Sequence, residues 1–201
     1  MSSRDASAGS PDDSTPGAPL PLRVAVLTIS DACAAGDRVD ESGRVIREWV
    51  QARKYTLAKQ AVIPDGTAGI TRVLLEWSGD GAPDVILTTG GTGLGPRDVT
   101  PEATSAVLDR ETPGLAERLR MEGQRHTPFA ALSRGVAGIR GRTLIVNLPG
   151  SPRGTSEGLD SLGNLLPHAV SVLRGDDGGR HPVGPEGSDP PNGLDGSGEG
   201  A

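Results

Sequence analysis

The stretch DVILTTGGTGLGPRDVTPE, residues 84–102, decides how the rest of the chain is read. After its leading aspartate it is a short apolar and β-branched run, the composition of a strand buried on both faces. The run passes without a spacer into Gly90, Gly91, Thr92, Gly93, Leu94 and Gly95. Thr100, Pro101 and Glu102 then open a helix, with a hydroxyl as cap, proline at the first helical position and an acid in the first turn. A strand, a glycine loop and a helix in this order belong to α/β domains, where ligands gather outside the carboxyl ends of the strands.

On the amino-terminal side, residues 22–29 (LRVAVLTI) form a second buried strand, and Val45, Ile46, Trp49 and Val50 recur at helical spacing after Asp40, Glu41 and Ser42. Residues 55–63 are a third strand, closed by the turn residues Pro64, Asp65 and Gly66. Ile70, Val73, Leu74 and Trp77 lie on one face of a helix. Residues 113–121 and 128–132 read as short helices, and 142–148 (RTLIVNL) as a last strand ending at Pro149 and Gly150. Ser151 and Pro152 start a final helix carrying Leu159, Leu162, Leu166 and Leu173, with a kink expected at Pro167. The alternation predicts a three-layer α/β/α domain around a largely parallel sheet.

The ends of the 201-residue chain differ from this middle. Residues 1–20 hold five Ser, three Pro and three Asp, and residues 175–201 hold nine Gly, four Pro and six acidic residues. Neither stretch can bury enough apolar surface to offset its ordering entropy, so both are expected to be disordered tails on a domain of residues 21–174. Of 26 acidic residues the tails take nine, leaving 17 against 18 basic ones, so the domain is near neutral. A nucleic-acid binder usually shows a basic domain, and this one does not. One cysteine, Cys33, excludes an intramolecular disulfide framework and a multi-cysteine zinc site. No apolar run reaches the ~18 residues of a membrane span, and residues 1–20 lack the apolar core of a signal peptide, so a soluble cytoplasmic protein is expected.

Four strand ends carry residues suited to chemistry: Ser30 with Asp31, Asp65, the glycine loop, and Asn147 with Gly150 and Ser151. Glycines let backbone amides approach an oxyanion closely and form an anion-binding nest. The spacing is neither a Walker A loop, since Pro96 and Arg97 follow Gly95, nor the dinucleotide fingerprint. Arg97 is suited to a phosphate and Asp98 to Mg²⁺; a surface ion pair and a helix-capping acid are the plainer readings. Asp65 offers a second carboxylate, although a Pro-Asp-Gly turn also uses aspartate for its own geometry. Ser151 and Arg153, at a helix start, form a second candidate anion site. His126, His168 and His181 are scattered, and Cys33 lies in a loop, so covalent catalysis lacks a candidate.

In order, LTISD (27–31), VIPD (62–65), TTGGTGLGPRDVTPEAT (88–104), RETPG (110–114), TPFAALSR (127–134), GIRG (138–141) and LPGSPRG (148–154) resemble the MogA/MoaB-like molybdopterin-binding family. That family includes molybdopterin adenylyltransferases and the G domain of gephyrin, and the resemblance covers residues 21–174. It implies a homotrimer and a reaction in which molybdopterin and ATP, with Mg²⁺, give adenylyl-molybdopterin and pyrophosphate. The product would pass to a molybdenum-insertion protein. The family's functional acids map onto Asp65 and Asp98, which the reading makes the catalytic residues and Mg²⁺ ligands. Gly90, Gly91, Thr92, Gly93, Arg97, Ser30 and Asp31 go to the nucleotide phosphates; Gly150, Ser151, Arg153, Ser133 and Arg134 go to molybdopterin. Two other classes stay open: a MoaB-like binding or oligomeric scaffold module without catalysis, and a nucleotide hydrolase like the related competence/damage-inducible domain.

Overall fold

The structure, a computed structural model, describes residues 21–176. The disorder expected of residues 1–20 and of the stretch beyond 176 lies outside the described residues. Strands β1 (Arg23–Ile29), β2 (Thr56–Ile63), β3 (Val85–Thr89), β4 (Arg110–Glu111), β5 (Ala137–Arg140) and β6 (Thr143–Leu148) form one sheet in the order β2-β1-β3-β6-β5-β4. The first four in that order run parallel; β5 is antiparallel to β6 and β4 to β5. The helices are α1 (Asp31–Ala35), α2 (Glu41–Ala52), α3 (Thr67–Trp77), α4 (Thr100–Ser105), α5 (Pro113–Gln124), α6 (Pro152–Leu162) and α7 (Leu165–Arg174), with a 3₁₀ turn at Pro128–Leu132.

Alternate residues of each strand enter opposite layers, because successive side chains leave a strand on opposite faces. Val24, Val26, Val85, Leu87, Leu144 and Val146 pack with Ile46 and Val50 of α2, Leu159 and Leu162 of α6 and Leu166 of α7. Ala25, Leu27, Ile29, Ile86 and Ile145 pack with Ile70, Leu74 and Trp77 of α3 and with Ala103 of α4. This is the three-layer arrangement expected from the alternation. Each fully buried Leu or Ile contributes about 1.5–3 kcal/mol relative to exposure, so two faces of such residues fix the sheet.

The sequence reading missed or misplaced several elements. Ser30 caps the short helix α1 by accepting from Cys33 N at 3.3 Å, so Cys33 is helical rather than in a loop. β5 returns beside β6 through a two-residue hairpin loop whose first residue, Gly141, has φ +56°; its Gly138 and Arg140 gave no apolar run to read. Val99, not Thr100, occupies the cap position of α4, and the Thr100 hydroxyl instead donates to Gly90 O at 2.9 Å. The last helix breaks at Gly163 and Asn164 rather than kinking at Pro167. Pro167 has no N–H for the carbonyl four residues earlier, and that carbonyl, Gly163 O, accepts from Arg53 at 2.9 Å. Gly175 (φ +81°) and Asp176 close α7 through Ser171 O and Val172 O.

Asn147 holds the junction of β3, β5, β6 and α4. Its amide donates to the hydroxyls of Thr88 at 2.9 Å and Thr104 at 3.0 Å and accepts from Val136 N at 3.2 Å. It is buried, with its amide engaged by these three partners. Replacing Asn147 by Ala strands buried polar groups and should lower the unfolding free energy by about 1–3 kcal/mol, read by urea denaturation. A chain of residues 21–176 should melt with the full chain, whereas one ending at 174 should melt earlier through loss of the α7 cap; equal midpoints for the two truncations would refute the role of that cap.

Candidate functional site

Parallel register brings four carboxyl ends into line. Ile29 lies opposite Ile63, Thr28 opposite Thr89, and Thr89 opposite Leu148. The residues that follow line a cleft of about 620 Å³, including Ser30, Asp65, Gly90, Gly91, Asp98, Gly150 and Ser151. The Thr89 and Thr155 hydroxyls both donate to Pro149 O, at 2.7 and 2.8 Å, and fix the turn after β6.

The glycine loop is shaped by close backbone approach. Gly90 and Gly91 have φ +97° and +63°, in the left-handed region. A Cβ on Gly90 would stand 2.1 Å from Ile29 O, and one on Gly91 would stand 2.4 Å from the Thr100 hydroxyl and 3.1 Å from Asp65 Oδ1. Thr100 N donates to Gly91 O at 3.1 Å, and Arg134 N to Thr92 O at 2.9 Å. The Arg134 guanidinium donates to Gly93 O at 2.7 Å, to Asp98 O and to Glu102. That bond to Arg134 holds the Glu102 carboxyl below its usual range. Asp98 accepts from Gly95 N at 2.7 Å through Oδ2, so its carboxylate closes the loop and does not cap α4.

Asp31 and Asp65 are reciprocally bound: Asp31 N donates to Asp65 Oδ2 at 2.8 Å and Asp65 N to Asp31 Oδ1 at 3.0 Å. Arg97 forks onto both oxygens of Asp31, at 2.9 Å each from Nη2, and also reaches Asp65 O. This ties the end of β1, the end of β2 and the glycine loop together, with Asp65 on the cleft wall.

The structure therefore divides the residues read from sequence. Asp65, Asp98, Ser30, Gly90, Gly91, Gly150 and Ser151 line the cleft. Thr92, Gly93 and Ser133 line a shallower shelf of about 260 Å³ with the exposed side chains of Phe129 and Leu132. Gly91, Asp98, Gly150 and Ser151 belong to both recesses. Asp31 and Arg97 pair with each other, and Arg134 braces the loop. Arg153, expected beside a ligand, pairs with Glu157 at 2.7 Å, places Nη2 3.5 Å from His126 Nδ1, and lines neither recess. Ser151 caps α6, accepting from Gly154 N at 3.1 Å.

The sequence reading passed over the other wall, made by the loop before α2 and the first turn of that helix. Arg38, Val39, Asp40, Glu41 and Ser42 all line the cleft. Asp40 accepts from Gly43 N at 2.8 Å and from the Thr28 hydroxyl at 3.0 Å, and the Ser42 hydroxyl donates to Gly150 O at 2.8 Å. The spacing of Asp40 and Gly43 was the available signal, but it reads equally as an ordinary helix start.

Among the described residues no group of three or more His, Cys, Asp or Glu side chains could hold a metal unaided. Asp65 and Asp98 each bind a backbone amide through Oδ2 and keep Oδ1 without a protein partner among those residues. Two such carboxylates suit Mg²⁺ that completes its shell with phosphate oxygens and water.

A family model described as a probable molybdopterin binding domain matches residues 25–168. The chain is 44% identical over 153 residues to molybdenum cofactor synthesis protein cinnamon of Drosophila melanogaster, a match covering 76% of this chain and 25% of that protein. It spans about half the length of the bifunctional molybdenum cofactor biosynthesis proteins that it matches. It is 39% identical over 155 residues to the molybdopterin adenylyltransferase of Escherichia coli K12, covering 74% of this chain and 80% of that one. The crystal structure of the molybdopterin biosynthesis enzyme MoaB from Thermus thermophilus superposes with a TM-score of 0.73 at 52% identity, covering 77% of this chain and 97% of the other. By the extent of the family match and the shared fold, this chain belongs to the probable molybdopterin binding domain family.

Proposed function

We propose that this protein is a molybdopterin adenylyltransferase: it transfers the adenylyl group of ATP to the terminal phosphate of molybdopterin and releases pyrophosphate, a step in molybdenum cofactor biosynthesis. The observation that carries the reading is the pair of recesses meeting at Gly91, Asp98, Gly150 and Ser151. Two phosphate-bearing substrates, one in each recess, would meet at backbone that can approach an oxyanion closely. Relatives named molybdopterin adenylyltransferase, 39% and 35% identical over most of this chain, support the same choice.

In this reading an oxygen of the molybdopterin phosphate forms a bond to the α-phosphorus of ATP. The bond from that phosphorus to the α–β bridging oxygen breaks, and pyrophosphate leaves with the electron pair. A phosphate monoester with a second pKa of about 6 is already largely dianionic near neutrality, so no side chain need remove a proton. What the chain supplies is position and charge balance. The amides around Gly90 and Gly91 would receive the transferring phosphate, and Asp65 and Asp98 would hold Mg²⁺. When bound, Mg²⁺ supplies charge neutralisation on the phosphate oxygens. The homotrimer, the cytoplasmic setting and the hand-over of product to a molybdenum-insertion protein belong to the same proposal.

One incubation of the protein with molybdopterin, ATP and Mg²⁺ tests it. Adenylylated pterin and stoichiometric pyrophosphate are expected. Binding without product would favour a pterin-binding module, and nucleotide consumption without pterin would favour a hydrolase. Asp98→Asn keeps an acceptor for Gly95 N, so its thermal midpoint and molybdopterin affinity should stay near wild type. Pyrophosphate release should fall by about a hundredfold or more, because the charge that positions the metal is gone. Wild-type turnover in this variant would refute a catalytic Asp98.

A further inference from the structure

The three arginines that the sequence offered for phosphate are all engaged elsewhere. Arg97 forks onto Asp31, Arg134 braces backbone carbonyls and Glu102, and Arg153 pairs with Glu157. The cleft wall carries Asp40, Glu41, Asp65 and Asp98. Against these carboxylates it presents one cationic side chain among the described residues, Arg38.

The state of Arg38 differs from that of the other three. It lies in the exposed loop between α1 and α2, and Nη2 donates to the Ser30 hydroxyl at 2.9 Å. That hydroxyl already accepts from Cys33 N. Among the described residues the guanidinium has no carboxylate within salt-bridge distance, whereas neighbouring Arg47 reaches Asp40 at 3.3 Å. A planar fork held by one neutral hydroxyl, at a strand end in an otherwise acidic cleft, keeps most of its donors for an anion. An incoming triphosphate brings several negative charges past four carboxylates, a repulsion that a lone guanidinium partly offsets.

We propose that Arg38 receives the β- and γ-phosphates of the nucleotide and holds the departing pyrophosphate; this rests on the adenylyl-transfer reading above. The nucleotide is favoured over the pterin phosphate by position. Arg38 lines the larger cleft and not the shelf, where exposed Phe129 and Leu132 offer apolar surface for a ring. The negative charge that develops on the leaving group then meets a fixed cation, which makes Arg38 a substrate-contacting residue of the α1–α2 loop.

The test is calorimetric binding of Mg-ATP, Mg-pyrophosphate and molybdopterin, each alone, to the full chain and to Arg38→Ala and Arg38→Lys. The Arg38 backbone N bonds Ala32 O whatever the side chain, so both variants should keep the wild-type thermal midpoint. Loss of a charge-assisted contact should weaken Mg-ATP and Mg-pyrophosphate by about 10- to 100-fold in the Ala variant, with partial recovery in the Lys variant. Molybdopterin affinity should not change. Unaltered Mg-ATP and Mg-pyrophosphate affinities would overturn the proposal, as would a loss confined to molybdopterin, which would assign Arg38 to the pterin's phosphate. If wild type binds Mg-ATP in an Arg38-dependent way yet yields no adenylylated product, Arg38 keeps its role and the adenylyl-transfer reading falls.

Discussion

Between the carbonyl of Ile29 and the α-carbon of Gly90 there is no room for a side chain; a Cβ there would sit at 2.1 Å. On the other side, a Cβ on Gly150 would come within 3.2 Å of Gly90 Cα. The ends of β1, β3 and β6 are therefore packed main chain against main chain. Two neighbouring parts of the site adjust to this contact. Thr100 must turn its hydroxyl to Gly90 O, because the loop that curls over β1 leaves that carbonyl without a strand partner. Ser42 reaches Gly150 O, which holds the first turn of α2 against the cleft.

The same constraint explains which parts were legible in the sequence. Strands buried on both faces, such as β1 and β3, announce themselves as apolar runs, and Asp65, Gly90 and Ser151 fall at strand ends by position alone. β4, with two residues, and β5, with Gly138 and Arg140 among its four, are strands only because β6 and the Gly141 turn supply their partners. Arginines were the least legible. Residue type says that a guanidinium can bind phosphate; only three-dimensional pairing says whether a carboxylate or a carbonyl already occupies it. Arg97 is bound to a carboxylate and Arg134 to carbonyls and Glu102, while Arg38 carries no motif to mark it.

Charge is arranged with a similar division of labour. Asp31 and Asp40 each meet an arginine, Arg97 and Arg47. Asp65 and Asp98 meet only backbone amides through one oxygen each. An aspartate bound by a backbone N–H is fixed in place without being neutralised by a cation. These two acids are thus oriented on the cleft wall, and Asp98 also lines the shelf.

A cleft floor made of peptide groups has a consequence for how such a protein can diverge. Side chains change by single substitutions, whereas amides persist whatever residue carries them, provided that the tight contacts stay glycine. The two walls, one from the loop that carries Arg38 and the other from the 3₁₀ turn that carries Phe129, are built of exposed side chains and hold little of the core. On the proposed reading, ligand preference could drift on either wall while the peptide floor that would meet the phosphates stays unaltered. The domain is in this sense a fixed socket with two replaceable rims.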